Sequence, residues 1–333
     1  MLKPIIAFIL LYTSLSALAN IHEHNVVKNE HANLDSTELN KLAQQGDPEA
    51  QMILGVRYYY GEQEVTRDLK KARALFTNAS KQNNALASFF LGIMFLEGDG
   101  APQDKTKGIE LITKAAKQGE RKAQYLLASL YFKGEDVHKD KELATSWLTK
   151  AANQGDADAQ YMLGQMCTID EFKAAANWYA KAAEQGHMDA QYELARMYER
   201  GQKYYGGRGI PQDYKLAIDW YTKSAEQGNA KAQINLGLLY DFGQGIAQNR
   251  NQALNWYSKA IEQSDSFALA QLGIMYCEAN KVSLDYGICY ALLSLSIEKG
   301  ESGAVQARDT LRNRMTSKDI KRGQELIQEL SKK

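Results

Sequence analysis

The chain has 333 residues, enough for about two ordinary domains at roughly 150 residues each. Apolar residues make up 44% and charged residues 24%, which offers enough apolar surface to offset ordering entropy and excludes a disordered chain. Lys plus Arg (40) balance Asp plus Glu (40), so there is no global field to draw nucleic acid or an anionic membrane. Three Cys are too few for a disulfide scaffold or a multi-cysteine metal cluster, and four Pro suit a chain made mostly of helices.

The first segment carries one positive charge at Lys3, an apolar run from Ile5 to Tyr12 and the exit Ser16-Ala17-Leu18-Ala19. This is the pattern of a cleavable secretory signal over residues 1–19, with a periplasmic or secreted product. The run falls short of the ~20 apolar residues of a membrane span, and nothing later in the chain is long and apolar enough to be one. No Cys follows it, so a lipoprotein anchor has no acceptor. Residues 20–35 are polar, hold His22, His24 and His31, and read as a flexible leader. Cleavage after Ala19 would put His22 third from a free amine. An amine, two backbone amides and an imidazole there could wrap Cu(II) or Ni(II) in a square plane, and the alternative is a solvated His-bearing tail.

From residue 50 a motif recurs: Ala50-Gln51-Met52-Ile53-Leu54-Gly55, Ala87-Ser88-Phe89-Phe90-Leu91-Gly92, Ala123-Gln124-Tyr125-Leu126-Leu127-Ala128, and onward from Ala159, Ala190, Ala232 and Ala268. The steps are 37, 36, 36, 31, 42 and 36 residues, and an eighth, degraded copy starts near Ala304. Each copy has a second half, as in Asp140-x-x-x-Ala144-x-x-Trp147-x-x-Lys150-Ala151-Ala152. Apolar residues recur every three or four positions in both halves, which predicts two amphipathic helices per copy. Asp68, Asp104, Asp140, Asp213, Asn249 and Asp285 stand where a short side chain caps the second helix, and Gly46, Gly119, Gly155, Gly186, Gly228 and Gly300 stand where it ends. The glycine after each leucine of the first helix costs about 1 kcal/mol in a helix interior, so each is expected to face a neighbouring backbone. A lone hairpin cannot bury both its faces, and stacked copies must share a core.

The pattern A-Q-x-x-L-G-x-x-Y, the loop G-x-G-[IV]-x-x-D and the run W-Y-x-K-A-A-x-Q-G resemble the Sel1-like repeat family, related to tetratricopeptide repeats. The resemblance covers about Glu38 to the C-terminus. It implies an all-α, right-handed α-solenoid of antiparallel helix pairs. It also implies a secreted or periplasmic scaffold that binds a macromolecular partner, a protein of the envelope or of a host, on its concave face or loop edge. The organisation expected is a capping helix at 36–46, about seven repeats from 50 to 300, and a degraded repeat with a closing helix at 301–333. The alternative is a β-lactam-binding or β-lactamase-like enzyme, by analogy with cysteine-rich relatives of the family.

Position three of each first helix, with positions seven and ten, forms a stripe: Met52/Val56/Tyr59, Phe89/Ile93/Leu96, Tyr125/Ser129/Phe132, Tyr161/Gln165/Thr168, Tyr192/Arg196/Glu199 and Ile234/Leu238/Asp241. First helices usually line the concave side of a solenoid, where rigid aromatics suit a protein partner. The partner-binding candidates are thus Tyr59, Phe89, Ile93, Tyr125, Phe132, Tyr161 and Tyr192. The other reading is that the stripe packs between repeats. Copy five gains six residues in its loop, around Lys203, Tyr204, Tyr205 and Arg208, which makes Tyr204 and Tyr205 candidates on a loop edge, or else neutral length drift.

No H-E-x-x-H, C-x-x-C or Walker loop occurs, no cofactor is called for, and no catalytic residue is assigned. Ser296-Ile297-Glu298-Lys299 matches S-x-x-K, but both ends fall on repeat framework positions and neither S-D-N nor K-T-G accompanies it. Cys167 takes a core tyrosine's place and is expected to be a buried, inert thiol. Cys277 ends a first helix and Cys289 holds the small-residue site of its partner. The two are either a disulfide or two reduced core residues.

Overall fold

The computed structural model describes residues 31, 34–62, 65–134, 136–168, 171–204, 209–263, 266–278 and 286–330. The signal-like segment, most of the leader with His22, and Asp285 lie outside them. The described residues are helical, and none is in a strand. A first helix, α1 (Ser36–Gln44), precedes the hairpins: Asp35 accepts hydrogen bonds from the N–H groups of Thr37 and Glu38, both at 2.8 Å.

Hairpins follow in chain order. The first helices are α2 (Pro48–Tyr60), α4 (Ala85–Glu97), α6 (Arg121–Lys133), α8 (Ala157–Met166), α10 (Met188–Tyr204), α12 (Ala230–Phe242) and α14 (Ser266–Glu278). Their partners are α3 (Leu69–Lys81), α5 (Lys105–Lys117), α7 (Lys141–Asn153), α9 (Phe172–Glu184), α11 (Tyr214–Glu226), α13 (Arg250–Glu262) and α15 (Tyr286–Glu298). Two further helices, α16 (Ala304–Arg312) and α17 (Ser317–Leu330), pack on α15 and close the chain. The chain forms two compact units, one up to Leu163 and one from Gly164.

Five second helices begin as their sequence predicts. Asp68, Asp104, Asp140, Asp213 and Asn249 accept from backbone N–H groups two or three residues on, at 2.9–3.1 Å. The same residues close the hairpin, donating their own N–H to Tyr58, Phe95, Tyr131, Tyr198 and Tyr240 carbonyls at 2.8–3.0 Å. The shortened fourth loop breaks the rule. Glu171 makes no cap bond to α9 and instead accepts from Thr168. Among the described residues, the second helices of repeats two, three, four, five and seven end in left-handed Gly119, Gly155, Gly186, Gly228 and Gly300, and that of repeat one in Asn83 (φ 66°), an amide tolerated there.

Burial differs between the two helices of a hairpin. In repeats one to three the second helix buries one stripe, such as Ala72, Phe76, Ala79 and Ser80 of α3, and leaves the rest to solvent, whereas α15 buries every residue from Ala291 to Ser296. The first helix is enclosed on most sides: α4 buries every residue from Ala87 to Leu96. Phe76 stacks on Phe90 of the next repeat at 5.2 Å between centroids, a pairing worth about 0.5–1.5 kcal/mol beyond its buried area. Trp147 is buried on α7 as expected, with Lys150 lying 4.0 Å over its ring.

The helical glycines correct one expectation. They face large side chains of the partner helix more than backbone. A Cβ on Gly55, Gly164 or Gly237 would run into the rings of Phe76, Tyr179 and Tyr257 respectively. Gly92 and Gly273 also meet backbone, the Gly108 carbonyl at 3.0 Å and the Leu293 nitrogen at 3.3 Å. The glycine thus makes room for an aromatic or branched residue four positions after the small site of the second helix.

A glutamine relay ties hairpin to hairpin. Gln51, Gln124, Gln191 and Gln233, at position two, donate to the carbonyls of Ala43, Ala116, Ala183 and Ala225 in the preceding helix at 3.0–3.1 Å. Gln82, Gln154, Gln227 and Gln263, at the end of each second helix, donate in turn to those same glutamines at 2.7–3.1 Å. Buried amides are thereby satisfied at both ends, which is what makes their burial affordable. In repeat two Ser88 replaces the glutamine and bonds Ser80 at 2.8 Å.

Candidate partner-binding surface

The stripe of positions three, seven and ten divides along the chain. In repeats one and two it is enclosed. Phe89 and Ile93 have no exposed surface and Tyr59 is 4% exposed. Tyr59 leans on Phe90 at 6.1 Å and donates its hydroxyl to Asp99 of the next repeat at 3.0 Å. Burial, then the Asp99 carboxylate, pushes its phenol far above the usual tyrosine range. Phe89 stands edge-on to Phe90 at 5.6 Å. These three candidates are therefore corrected to core: their area is already spent on neighbouring repeats and offers a partner nothing.

In repeats three to five position three of the stripe is half-exposed, while in repeat six Ile234, Leu238 and Asp241 are buried again. Tyr125, Phe132, Tyr161 and Tyr192 are half-exposed, each on a first helix whose opposite face is buried. Burial, followed by the Asp158 and Asp156 carboxylates, raises the Tyr125 phenol, while its bond to Ser129 lowers it. Asp156 is almost fully buried, with Lys122 Nζ at 3.4 Å and Arg121 Nε at 3.6 Å, and Lys122 also reaches Asp158 at 3.7 Å. One edge of the Tyr125 helix is thus charged but internally neutralised.

In repeat five the same positions are polar. Arg196 pairs with Glu193 at 2.8 Å and lies over the Tyr192 ring at 5.6 Å. Glu199 accepts from the buried Tyr221 hydroxyl at 2.6 Å, and Asn235 donates to that same hydroxyl at 2.8 Å. Burial, then Glu199, drives the Tyr221 phenol well above its ordinary value, so it remains a donor at any physiological pH. Sequence reading missed this network. The one signal for it is a tyrosine in α11 standing where repeats one to three have Phe76, Ile112 and Leu148.

The remaining candidates fall as follows. Tyr205 and the tip of the inserted loop, and the side chains of Lys203 and Tyr204, lie outside the described residues. At the loop's base Gly201 breaks α10 (φ 63°, ψ −173°) and Gln212 donates to the Glu199 carbonyl at 2.7 Å. The closing bond from Asp213 to Tyr198 is kept at 2.9 Å despite the insertion. Cys277 and Cys289 stand as a disulfide pair with Cα atoms 5.8 Å apart. Cys167 is half-buried rather than buried, because the shortened repeat ends α8 at Met166; burial and Glu171 push its thiol up. Ser296 is fully buried, its hydroxyl donating to the Ser266 carbonyl at 2.7 Å, a framework role with no path to a substrate. Among the described residues no group of three His, Cys, Asp or Glu could hold a metal, and no helix is long and apolar enough to cross a membrane.

Comparison with known proteins fits this architecture. A family model described as Sel1 repeat matches residues 48–84, 85–120, 121–156, 157–187, 189–229, 230–265 and 266–301. The fold is similar to a Sel1 repeat protein from Oxalobacter formigenes, 30% identical, covering 73% of this chain and 96% of that one with a TM-score of 0.56. It is also similar to c5321, a protective antigen present in uropathogenic Escherichia coli strains displaying an SLR fold, at 28% identity, 90% and 72% coverage and a TM-score of 0.50. A curated relative, the Arabidopsis thaliana ERAD-associated E3 ubiquitin-protein ligase component HRD3A, is 38% identical over 64 residues, which is 19% of this chain and only 9% of that protein.

Proposed function

Because the chain belongs to the Sel1 repeat family, with its fold of stacked helix pairs, we propose that it is a non-enzymatic scaffold that binds a protein partner. The binding surface we assign is the half-exposed face of the first helices in repeats three and four, formed by Tyr125, Phe132 and Tyr161 within the first unit. The observation behind this reading is the contrast within one template: the aromatic position enclosed in repeat two is half-exposed in repeats three and four. Tyrosine offers large contact area with little rotamer entropy to lose, which favours it at protein interfaces.

We further place the mature protein in the periplasm or outside the cell. The signal-like residues 1–19 support this, as does the likeness to a protein described as a protective antigen. The β-lactam alternative loses its one motif, since Ser296 is used by the framework.

Affinity capture from envelope and host extracts with the chain lacking residues 1–19 tests both statements. The Tyr125→Ala/Phe132→Ala double variant should fold and lose the captured protein, with each hot-spot aromatic worth about 1–2 kcal/mol or more of binding. Undiminished capture by that variant would overturn the assigned surface. N-terminal sequencing of exported material should read from Asn20, and an intact Met1 in soluble cytosolic protein would overturn the localisation.

A further inference from the structure

The balance of charge over the whole chain conceals a local excess. Helix α3 carries Lys70, Lys71, Arg73 and Lys81 and no carboxylate, and α5 carries Lys105, Lys107, Lys114 and Lys117 against Glu110 alone. All of these lysines except Lys114 are exposed. The later second helices lose the excess at fixed positions. Their last residue, Lys81 and Lys117 in repeats one and two, is Asn153 in repeat three and Glu184, Glu226, Glu262 and Glu298 in repeats four to seven. The third residue, Lys71 and Lys107, becomes Leu143, Ala174, Leu216, Gln252 and Ile288. The lysine that repeats three to six keep, Lys150, Lys181, Lys223 and Lys259, lies over a tryptophan of its own helix at 4.0–4.4 Å. Repeats one and two have Leu75 and Leu111 in place of that tryptophan.

The two basic helices run side by side within the first unit. Lys114 Nζ donates to the Ser80 carbonyl at 2.7 Å and Gln118 donates to the Asn83 carbonyl at 3.1 Å, which brings the C-terminal ends with Lys81 and Lys117 together. Little opposes the charge. Asp68 and Asp104 cap the two helices, Lys71 lies 3.8 Å from Asp68, and Lys105 pairs with Asp136 at 2.7 Å. Lys70, Lys81 and Lys117 form no ion pair among the described residues.

The residue types say what such a face receives. Protein interfaces are anchored by aromatic and arginine side chains and are poor in lysine. On these two helices the one arginine, Arg73, lies over the Phe95 ring at 4.1 Å, and the one aromatic, Phe76, is buried. What remains for a partner is lysine, a flexible point charge that suits mobile headgroup phosphates and needs no fixed bidentate geometry. We propose that the exposed face of α3 and α5 docks the protein on an anionic phospholipid surface, at a site distinct from the aromatic face of repeats three and four.

The test is co-sedimentation with vesicles, using the chain lacking residues 1–19 so that their apolar run does not enter the bilayer. Vesicles of phosphatidylcholine mixed with phosphatidylglycerol should bind at least about tenfold better than phosphatidylcholine alone, and about 1 M salt should release the protein. The triple variant Lys70→Gln/Lys81→Gln/Lys117→Gln should melt as the parent does and bind the mixed vesicles at least about tenfold more weakly. Removing the same charge from exposed positions of α7, α9 and α11, by Lys141→Gln/Lys173→Gln/Lys215→Gln, should leave binding unchanged. Equal binding to the two vesicle types, full binding by the first triple variant, or equal loss in both variants would overturn the proposal. Binding to poly-glutamate as tight per charge as to the mixed vesicles would give the face to an acidic protein segment and overturn the lipid assignment.

Discussion

Repeats two and five are built on one template and end in opposite surroundings. In α4 the stripe is Phe89, Ile93 and Leu96, and none of the three exposes more than 1% of its surface. In α10 the same positions hold Tyr192, Arg196 and Glu199, all half-exposed and linked into ion pairs and hydrogen bonds. The backbone plan is shared: a left-handed end to the second helix, a small residue at the crossing, and a closing bond from the cap residue to a position-nine carbonyl. The difference teaches that the repeat fixes geometry, while each copy's side chains decide whether the first-helix face becomes core or surface.

The largest expected effect sharpens this contrast. Phe90→Ala removes a ring stacked on Phe76 and touching Tyr59 and Phe89, and should cost about 3–5 kcal/mol in denaturant unfolding. Tyr192→Ala should cost about 1 kcal/mol or less, as half-exposed substitutions do. Equal losses would break the comparison.

Next comes the crossing of the two helices in repeat two. Gly92→Ala would place a Cβ 2.8 Å from Ile112 and 3.0 Å from the Gly108 carbonyl. It should destabilise by about 1–3 kcal/mol, and Ile112→Val in the same chain should recover part of that. Thermal unfolding of the two variants checks it. In repeat five the counterpart is polar: Tyr221→Phe leaves Glu199 and Asn235 without their shared hydroxyl and should cost about 1 kcal/mol, read in the same way.

The smallest effect separates two helix starts. Asp140→Ala removes a cap bond of 2.9 Å to the Leu143 N–H and should cost about 1 kcal/mol. Glu171→Ala, at the start of α9 where no cap bond exists, should cost less. Urea midpoints of the pair decide it.

Much of the fold is written in short-range signals. The period, the Asp and Asn caps and the glycine ends are legible because their partners lie within a few residues. The glutamine relay is not, because Gln51 and Gln82 meet only after the hairpin closes, 31 residues apart. The helical glycines were legible as close contacts but not in what they touch, since Phe76 and Tyr257 are fixed by tertiary packing. The stripe shows the same limit. Phe89 and Tyr125 occupy one repeat position and look alike in sequence, and only the stacked neighbours settle which ring is enclosed.

The central claim is that the face open to a partner lies on repeats three and four. Its most direct test places a photo-crosslinking phenylalanine analogue singly at positions 89, 125, 132 and 161 of the chain lacking residues 1–19, in the presence of the captured partner. The account predicts crosslinks from positions 125, 132 and 161 and none from 89. Crosslinks from position 89 with none from the other three would contradict it.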